Sequence, residues 1–269
     1  MEKTVRRFSL NGEYVRSYGR AGFGPGELFL PRALSLAHHD SSVVVFDADG
    51  RVTFFSLDTS NDRAVKPTTI RLDAEIYDGC ATDSLIFING RRPGSSHVLH
   101  SYTLHGSHNA SFGELYETDS RLISLQLSRG LLACTGEYVL FAPSGILELR
   151  AYTYDGAESW WIALADAVSI EFIQAGNGSY MRIPEEGYHA PVQLAAHGTS
   201  AIWQLSKHRG RDDSDGRPVL FSVVVDLVDR AADGVRSDSA RVLAWDQATT
   251  VVEVSSIYPK ILLSTNRLP

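Results

Sequence analysis

Cysteine is nearly absent from this chain, with only Cys80 and Cys134 in 269 residues. That excludes a small disulfide-stapled scaffold, and a chain this long builds its core without staples. Both cysteines sit in apolar, strand-like runs, so two small buried thiols are expected rather than a bridge. Long hydrophobic runs are also lacking. No stretch approaches the roughly 20 apolar residues of a membrane span. The opening "MEKTVRRFSLNGEYV" has no apolar signal-peptide core. Read as it stands the chain is cytoplasmic; a truncated N-terminus would make it periplasmic or secreted. Positive charge is in deficit, 25 Lys+Arg against 32 Asp+Glu, for a net charge of −7. Without a broad basic footprint, nucleic acid is not the expected partner. Long apolar segments of period 3.6 are few, which argues against helical repeats.

What is present is short strands in a recurring unit. "VVVFDADGRVTFFSLD" (Val43–Asp58) is two β-rich runs about an Asp49–Gly50 turn. "RALSLAHHDSS" before it and "PTTIRLD" after it supply two more strands. An aromatic, a Ser or Thr, an apolar or aromatic residue and a polar turn then recur as "FSLNGE" at Phe8, "FSLDTS" at Phe55, "YTLHGS" at Tyr102 and "YTYDGA" at Tyr152. The spacings are 55 − 8 = 47, 102 − 55 = 47 and 152 − 102 = 50. Four strands per unit of this length is the pattern of propeller blades. The expected fold is therefore all-β, a β-propeller of four-stranded antiparallel blades forming one domain over 1–269. Five blades can be counted and the length allows six. "PVQLAAHG", "AIWQLSKHRG" and "PVLFSVVVDLVD" read as strands of a late blade, after an insertion near 166–190. "TTVVEVSSIYPKILLSTN" offers two last strands, which with Val5–Leu10 and Tyr14–Tyr18 would close a ring and hide both edges.

The glycine-rich "GRAGFGPGEL" (Gly19–Leu28) tests the nucleotide alternative. Its glycines do not fit G-x-G-x-x-G, and no Lys follows as in a Walker loop. No helix N-terminus follows to face a phosphate. Instead, "GFGPGELFLP" (Gly22–Pro31) followed by "VFDADGRVTFF" (Val45–Phe55) resembles the blade connector of the NHL-like, six-bladed β-propellers of bacteria. The resemblance spans roughly Phe8–Asp58. It implies a structural role for Asp47 and Arg51. It also implies either a non-enzymatic propeller that binds a protein or small molecule, or a metal-dependent lyase or lactone hydrolase with a divalent metal such as calcium in its channel.

Propeller ligands sit where loops enter the innermost strands. Those entries, "LPRALSL", "DAEIYDG", "DSRLISL" and "GYHAPVQL", carry Arg32, Glu75, Arg121, Tyr188 and His189. The two arginines could hold a carboxylate or sulfate bidentately. No catalytic motif, resident cofactor or metal set is evident. "AHHD" (Ala37–Asp40) reads as a hairpin tip, and "DADG" lacks the trailing Glu of a calcium loop. His97 and His100, three apart on a strand, point to opposite faces. "KHRGRDDSDGR" (Lys207–Arg217) reads as a solvated loop. Of the adjacent Trp160 and Trp161, one should enter the core and one should face outward. The expected function is ligand or protein binding at the channel mouth.

Overall fold

The computed structural model describes residues 3–9, 11–37, 41–57, 66–116, 118, 120–163, 169–175, 178–182, 184–185, 187–197, 200–208, 219–227 and 254–255. Their regular structure is β apart from one short helix. The chain forms two compact units, Met1–Gly113 and Glu114–Pro269.

The first unit opens with an antiparallel pair, β1 (Val5–Phe8) and β2 (Tyr14–Tyr18). A short parallel pair follows, β3 (Arg20–Ala21) and β4 (Glu27–Leu28), which closes the glycine loop. Next come two four-stranded antiparallel sheets in chain order. One is β5 (Pro31–Ala37), β6 (Ser42–Asp47), β7 (Arg51–Ser56) and β8 (Thr68–Arg71). The other is β9 (Glu75–Ala81), β10 (Leu85–Arg91), β11 (His97–Thr103) and β12 (His108–Glu114). A strand with one wet face alternates apolar and polar residues, but "VVVF" in β6 and "IFI" in β10 do not. All seven of these side chains are buried, because both faces of each second strand are covered. Val44, Phe46, Val52, Ile76, Ile86 and Tyr102 share one core. There β5 lies beside β9, and Ala81 N donates to Ser35 Oγ at 3.1 Å. A Cβ on Gly79 would lie 2.5 Å from the Phe46 ring, so only glycine allows this approach.

The second unit begins with α1 (Arg121–Leu127) and a four-stranded sheet, β13 (Gly130–Cys134), β14 (Tyr138–Pro143), β15 (Glu148–Thr153) and β16 (Glu158–Ala163). The stretch expected as an insertion contains a hairpin, β17 (Glu171–Ala175) and β18 (Gly178–Arg182). The last sheet is β19 (Tyr188–His197), β20 (Ser200–His208), β21 (Val219–Asp226) and β22 (Val254–Ser255). Leu140, Leu149, Trp160, Trp203 and Leu205 anchor this unit's core. Trp160 is buried and Trp161 is 36% exposed, one on each side of β16. From the tail, Val254–Ser255 pairs with β21. The terminal pairing that would close a ring calls on residues 256–269, outside the described residues. The tips "HHD" (38–40) and "RGRDDSDG" (209–216) also lie outside them.

Three of the four copies of the repeated unit are hairpins of one geometry, and the turn after Phe55 lies outside the described residues. Gly12, Gly106 and Gly156 have φ of 82°, 86° and 93°. Each donates its N–H at 2.9 Å to the carbonyl three residues earlier, Ser9, Thr103 and Thr153 respectively. Those same three residues donate back across the turn to Glu13, Ser107 and Ala157. This is a three-residue turn with a left-handed glycine, which selects the Gly in "NG", "HG" and "DG". In the β9–β12 and β13–β16 sheets it joins the third strand to the fourth.

Two expectations are corrected. "RLISLQL" is not a strand entry: Arg121 opens helix α1, whose buried Ile123 and Leu127 stand four residues apart on one face. Thr118 N donates to Ser124 Oγ at 2.9 Å, holding the chain before the helix. The cysteines are not free thiols: Cys80 and Cys134 are both disulfide-bonded. An apolar strand context suits a half-cystine as well as a thiol, and sequence carries no Cα–Cα distance.

Candidate functional site

The glycine loop is knit by its own carboxylate. Glu27 Oε2 accepts from Gly24 N at 2.8 Å, and Oε1 accepts from Arg20 Nε at 2.8 Å. These contacts, the Gly24 amide first and Arg20 second, hold the Glu27 pKa below its ordinary value. A Cβ on Gly22 would fall 2.0 Å from Glu27 Oε2. The amide that might have met a phosphate is thus already engaged, and the loop is a strand connector. The buried Asp47 then sets the entry to β5. Its Oδ1 accepts from Phe29 N at 3.1 Å and Leu30 N at 2.6 Å. Arg51 stands 3.8 Å from Asp47 Oδ2 and 3.1 Å from Asp49 Oδ2. "DADGR" is therefore structural, as the resemblance implies.

Arg32 follows directly, the second residue of β5, exposed and with no ion pair among the described residues. Glu75 opens β9, whose start is tied to the Asp47 turn by Ile76 N donating to Ala48 O at 3.1 Å. Glu75 is 3.6 Å from Arg91, with side chains 46% and 61% exposed, a pair that contributes little. In the second unit, Tyr188 and His189 open β19. The Tyr188 ring stacks on His208, with centroids 4.6 Å apart. Arg121 is exposed on α1 rather than at a strand start. Tyr188 and His189 are consecutive on β19 and so take opposite faces of its sheet. The structure places Arg32 and Glu75 at the starts of the first strands of adjacent sheets.

Other polar groups close on themselves. Asp73 accepts from Tyr102 Oη and Arg92 Nε, both at 2.9 Å. Burial opposes its ionisation, but these donors prevail and lower its pKa. In the second unit Arg150 donates to Glu148 at 2.8 Å and to Glu158 at 3.0 Å, and its guanidinium lies over the Tyr116 ring. Tyr152 Oη donates to Glu158 at 3.3 Å. Burial first, and that carboxylate second, push the phenol up to about 12. Among the described residues no three His, Cys, Asp or Glu converge as metal ligands.

Two groupings escaped the sequence reading. One face of the β1–β2 sheet presents Arg6, Phe8, Tyr14 and Ser17 to an open concavity of about 660 Å³, with Lys3 and Arg20 also lining it. The signal lay in the interleaved basic and aromatic residues of "VRRF" and "YVRSY". The other is His100, Ser111 and His108. Their meeting depends on how the β11–β12 hairpin folds back, which His spacing along one strand does not reveal.

No protein-family model matches the sequence, and no curated protein matches it. Solved structures do. A protein of Bacteroides fragilis provisionally described as exported aligns at 9% identity over 86% of this chain and 67% of its own, with a TM-score of 0.50. BamB from Moraxella catarrhalis aligns at 11% identity over 81% of this chain and 66% of its own, TM-score 0.40. The Swd1 β-propeller domain of Myceliophteria thermophila aligns at 10% identity over 89% and 64%, TM-score 0.44. This chain thus spans about two thirds of the length of each. At such identities the likeness concerns the fold. The class is all-β, with four-stranded antiparallel sheets following one another along the chain as the blades of a β-propeller do.

Proposed function

We propose that this protein is a non-enzymatic β-propeller of the NHL-like type that binds a protein or small-molecule ligand where loops enter its first strands. Arg32 and Glu75, at strand starts of the first unit, are the proposed contact residues, and Tyr188 and His189 are those of the second unit taken by itself. The observation that carries this reading is the contrast between Arg32 and the polar clusters around it. Asp47, Asp73, Glu27 and Arg150 all direct their hydrogen bonds to neighbours within the fold. Arg32 stands exposed on a rigidly fixed strand entry with its five donors available to a carboxylate or sulfate.

Citrate and sulfate are suitable probes. A ligand that binds only the folded state raises the melting temperature. Citrate is expected to raise it in the wild type and not in Arg32→Glu, a surface change that leaves the unliganded melt in place. Metal analysis of untagged, chelator-free protein provides the counter-test. Near-stoichiometric calcium, zinc or manganese with turnover of lactones would replace this reading with the metal-dependent enzyme.

A further inference from the structure

We propose that His100 and His108 form a two-imidazole binding site for a borderline divalent transition-metal ion, copper(II) above nickel(II) and zinc(II), on the β11–β12 hairpin. Both rings aim a nitrogen at one point. His100 Nδ1 lies 2.8 Å from Ser111 Oγ, and His108 Nε2 lies 2.9 Å from the same oxygen. The two nitrogens are therefore at most 2.8 + 2.9 = 5.7 Å apart. A bound ion needs each nitrogen at about 2.0–2.1 Å. His108 is exposed and begins its strand, so its side chain can close the difference while His100 stays fixed.

The chemistry of the donors selects the ion. The Ser111 hydroxyl has one proton, so it donates to one imidazole and accepts from the other. When a cation takes its place between the rings, the hydroxyl oxygen remains as a weak third donor and water completes the shell. Imidazole nitrogens suit copper, nickel and zinc, and affinity rises toward copper along the divalent series. Calcium and magnesium require oxygen-rich shells and are not favoured here.

The surroundings prepare His100 as a ligand. His100 is fully buried, so its ring is held with Nδ1 toward Ser111. Asn109 Nδ2 donates to Ser101 Oγ at 3.1 Å, bracing the hairpin beside the pair. The Tyr102 ring meets His108 edge-on at 5.4 Å, and Asp73 holds its hydroxyl. Two protein nitrogens make an exchangeable site rather than a structural one. The fold does not depend on the ion, and the site is independent of the strand-entry surface.

The test is copper(II) titration of the full chain, read by electron paramagnetic resonance and by melting temperature. One equivalent should bind with coupling to two nitrogens. His108→Gln should weaken that binding at least tenfold and remove one nitrogen from the spectrum. Ser111→Ala, which frees both nitrogens from the hydroxyl, should retain the two-nitrogen signal. His105→Gln, at an exposed position on the same hairpin, should change nothing. Equal affinity in wild type and His108→Gln, an oxygen-only spectrum, or a calcium effect as large as that of copper would each overturn the site. Because the decisive variants lie at exposed or half-exposed positions, a folding failure at the buried His100 cannot obscure the result.

Discussion

Asp47 shows how much one buried carboxylate can organise. It satisfies the Phe29 and Leu30 amides and faces Arg51, whose side chain is only 7% exposed. Removing it strands two amides, at about 1–3 kcal/mol for each unpaired donor, while Arg51 keeps its ion pair with Asp49. Asp47→Ala should therefore lose stability on that scale in urea unfolding, and Arg32, two residues past Leu30, should lose its fixed position. Tyr152 sets a limit at the other end of the pH scale. Its phenol is raised to about 12 in the folded protein, by burial and then by Glu158, against about 10 in an unfolded chain. The protonated phenol is the form that the fold favours. Its contribution is thus complete below pH 10 and is lost as pH rises from 10 through 12. Tyr102 and Tyr116 shift the same way, each chiefly by burial. Melting temperatures between pH 9 and 12 should fall, and Tyr152→Phe should flatten part of that fall. An unchanged slope would show that Tyr152 titrates as an exposed phenol.

The hairpin is the element in which sequence and structure speak most directly to each other. An aromatic, a Ser or Thr and a polar turn marked the repeat, and the same hydrogen bonds recur at Ser9–Gly12, Thr103–Gly106 and Thr153–Gly156. The environment of the aromatic is what differs. Phe55, Tyr102 and Tyr152 are buried, at 6%, 0% and 4%, whereas Phe8 is 53% exposed. Tyr102→Ala should cost about 3–5 kcal/mol, as for a large core aromatic. Phe8→Ala should stay within about 0.5 kcal/mol, as for a surface site. Chemical denaturation of the two variants separates these, and a Phe8 cost near that of Tyr102 would mean that the face is covered in solution. Strands were legible wherever a local pattern forces them, as in "VVVF" or the Asp49–Gly50 turn. Helix α1 was not, because seven residues with Leu122, Ile123, Leu125 and Leu127 satisfy a period of 2 almost as well as 3.6. The His100–His108 pair was illegible for a different reason. It is created by the fold-back of β11 on β12, and strand alternation predicts only which face each residue takes.

At the scale of the whole molecule, the strand repeat placed the chain correctly among all-β folds, but the cysteine count misjudged its redox chemistry. With two cysteines in an acidic chain of 269 residues, free thiols were the economical expectation. Both are disulfide-bonded. Disulfides persist in oxidising compartments and are rare where glutathione keeps thiols reduced. The two readings of location, cytoplasmic as the sequence stands or periplasmic or secreted, therefore make opposite statements about thiols. Protein taken from its native cells into denaturant and alkylating agent, without reductant, should contain no free thiol if it matures in an oxidising compartment. Two thiols should appear only after reduction. Two alkylated cysteines before reduction would instead indicate a reducing environment, with the bond forming only on later exposure to air. The same sample bears on copper. A reducing compartment holds the metal as copper(I), which favours thiolate and thioether ligands, whereas imidazole pairs suit copper(II). A disulfide-bonded protein with an occupied His100–His108 site is thus the combination that one oxidising location would produce. Thiol count and metal content measured together on native material test whether the two features belong to the same environment.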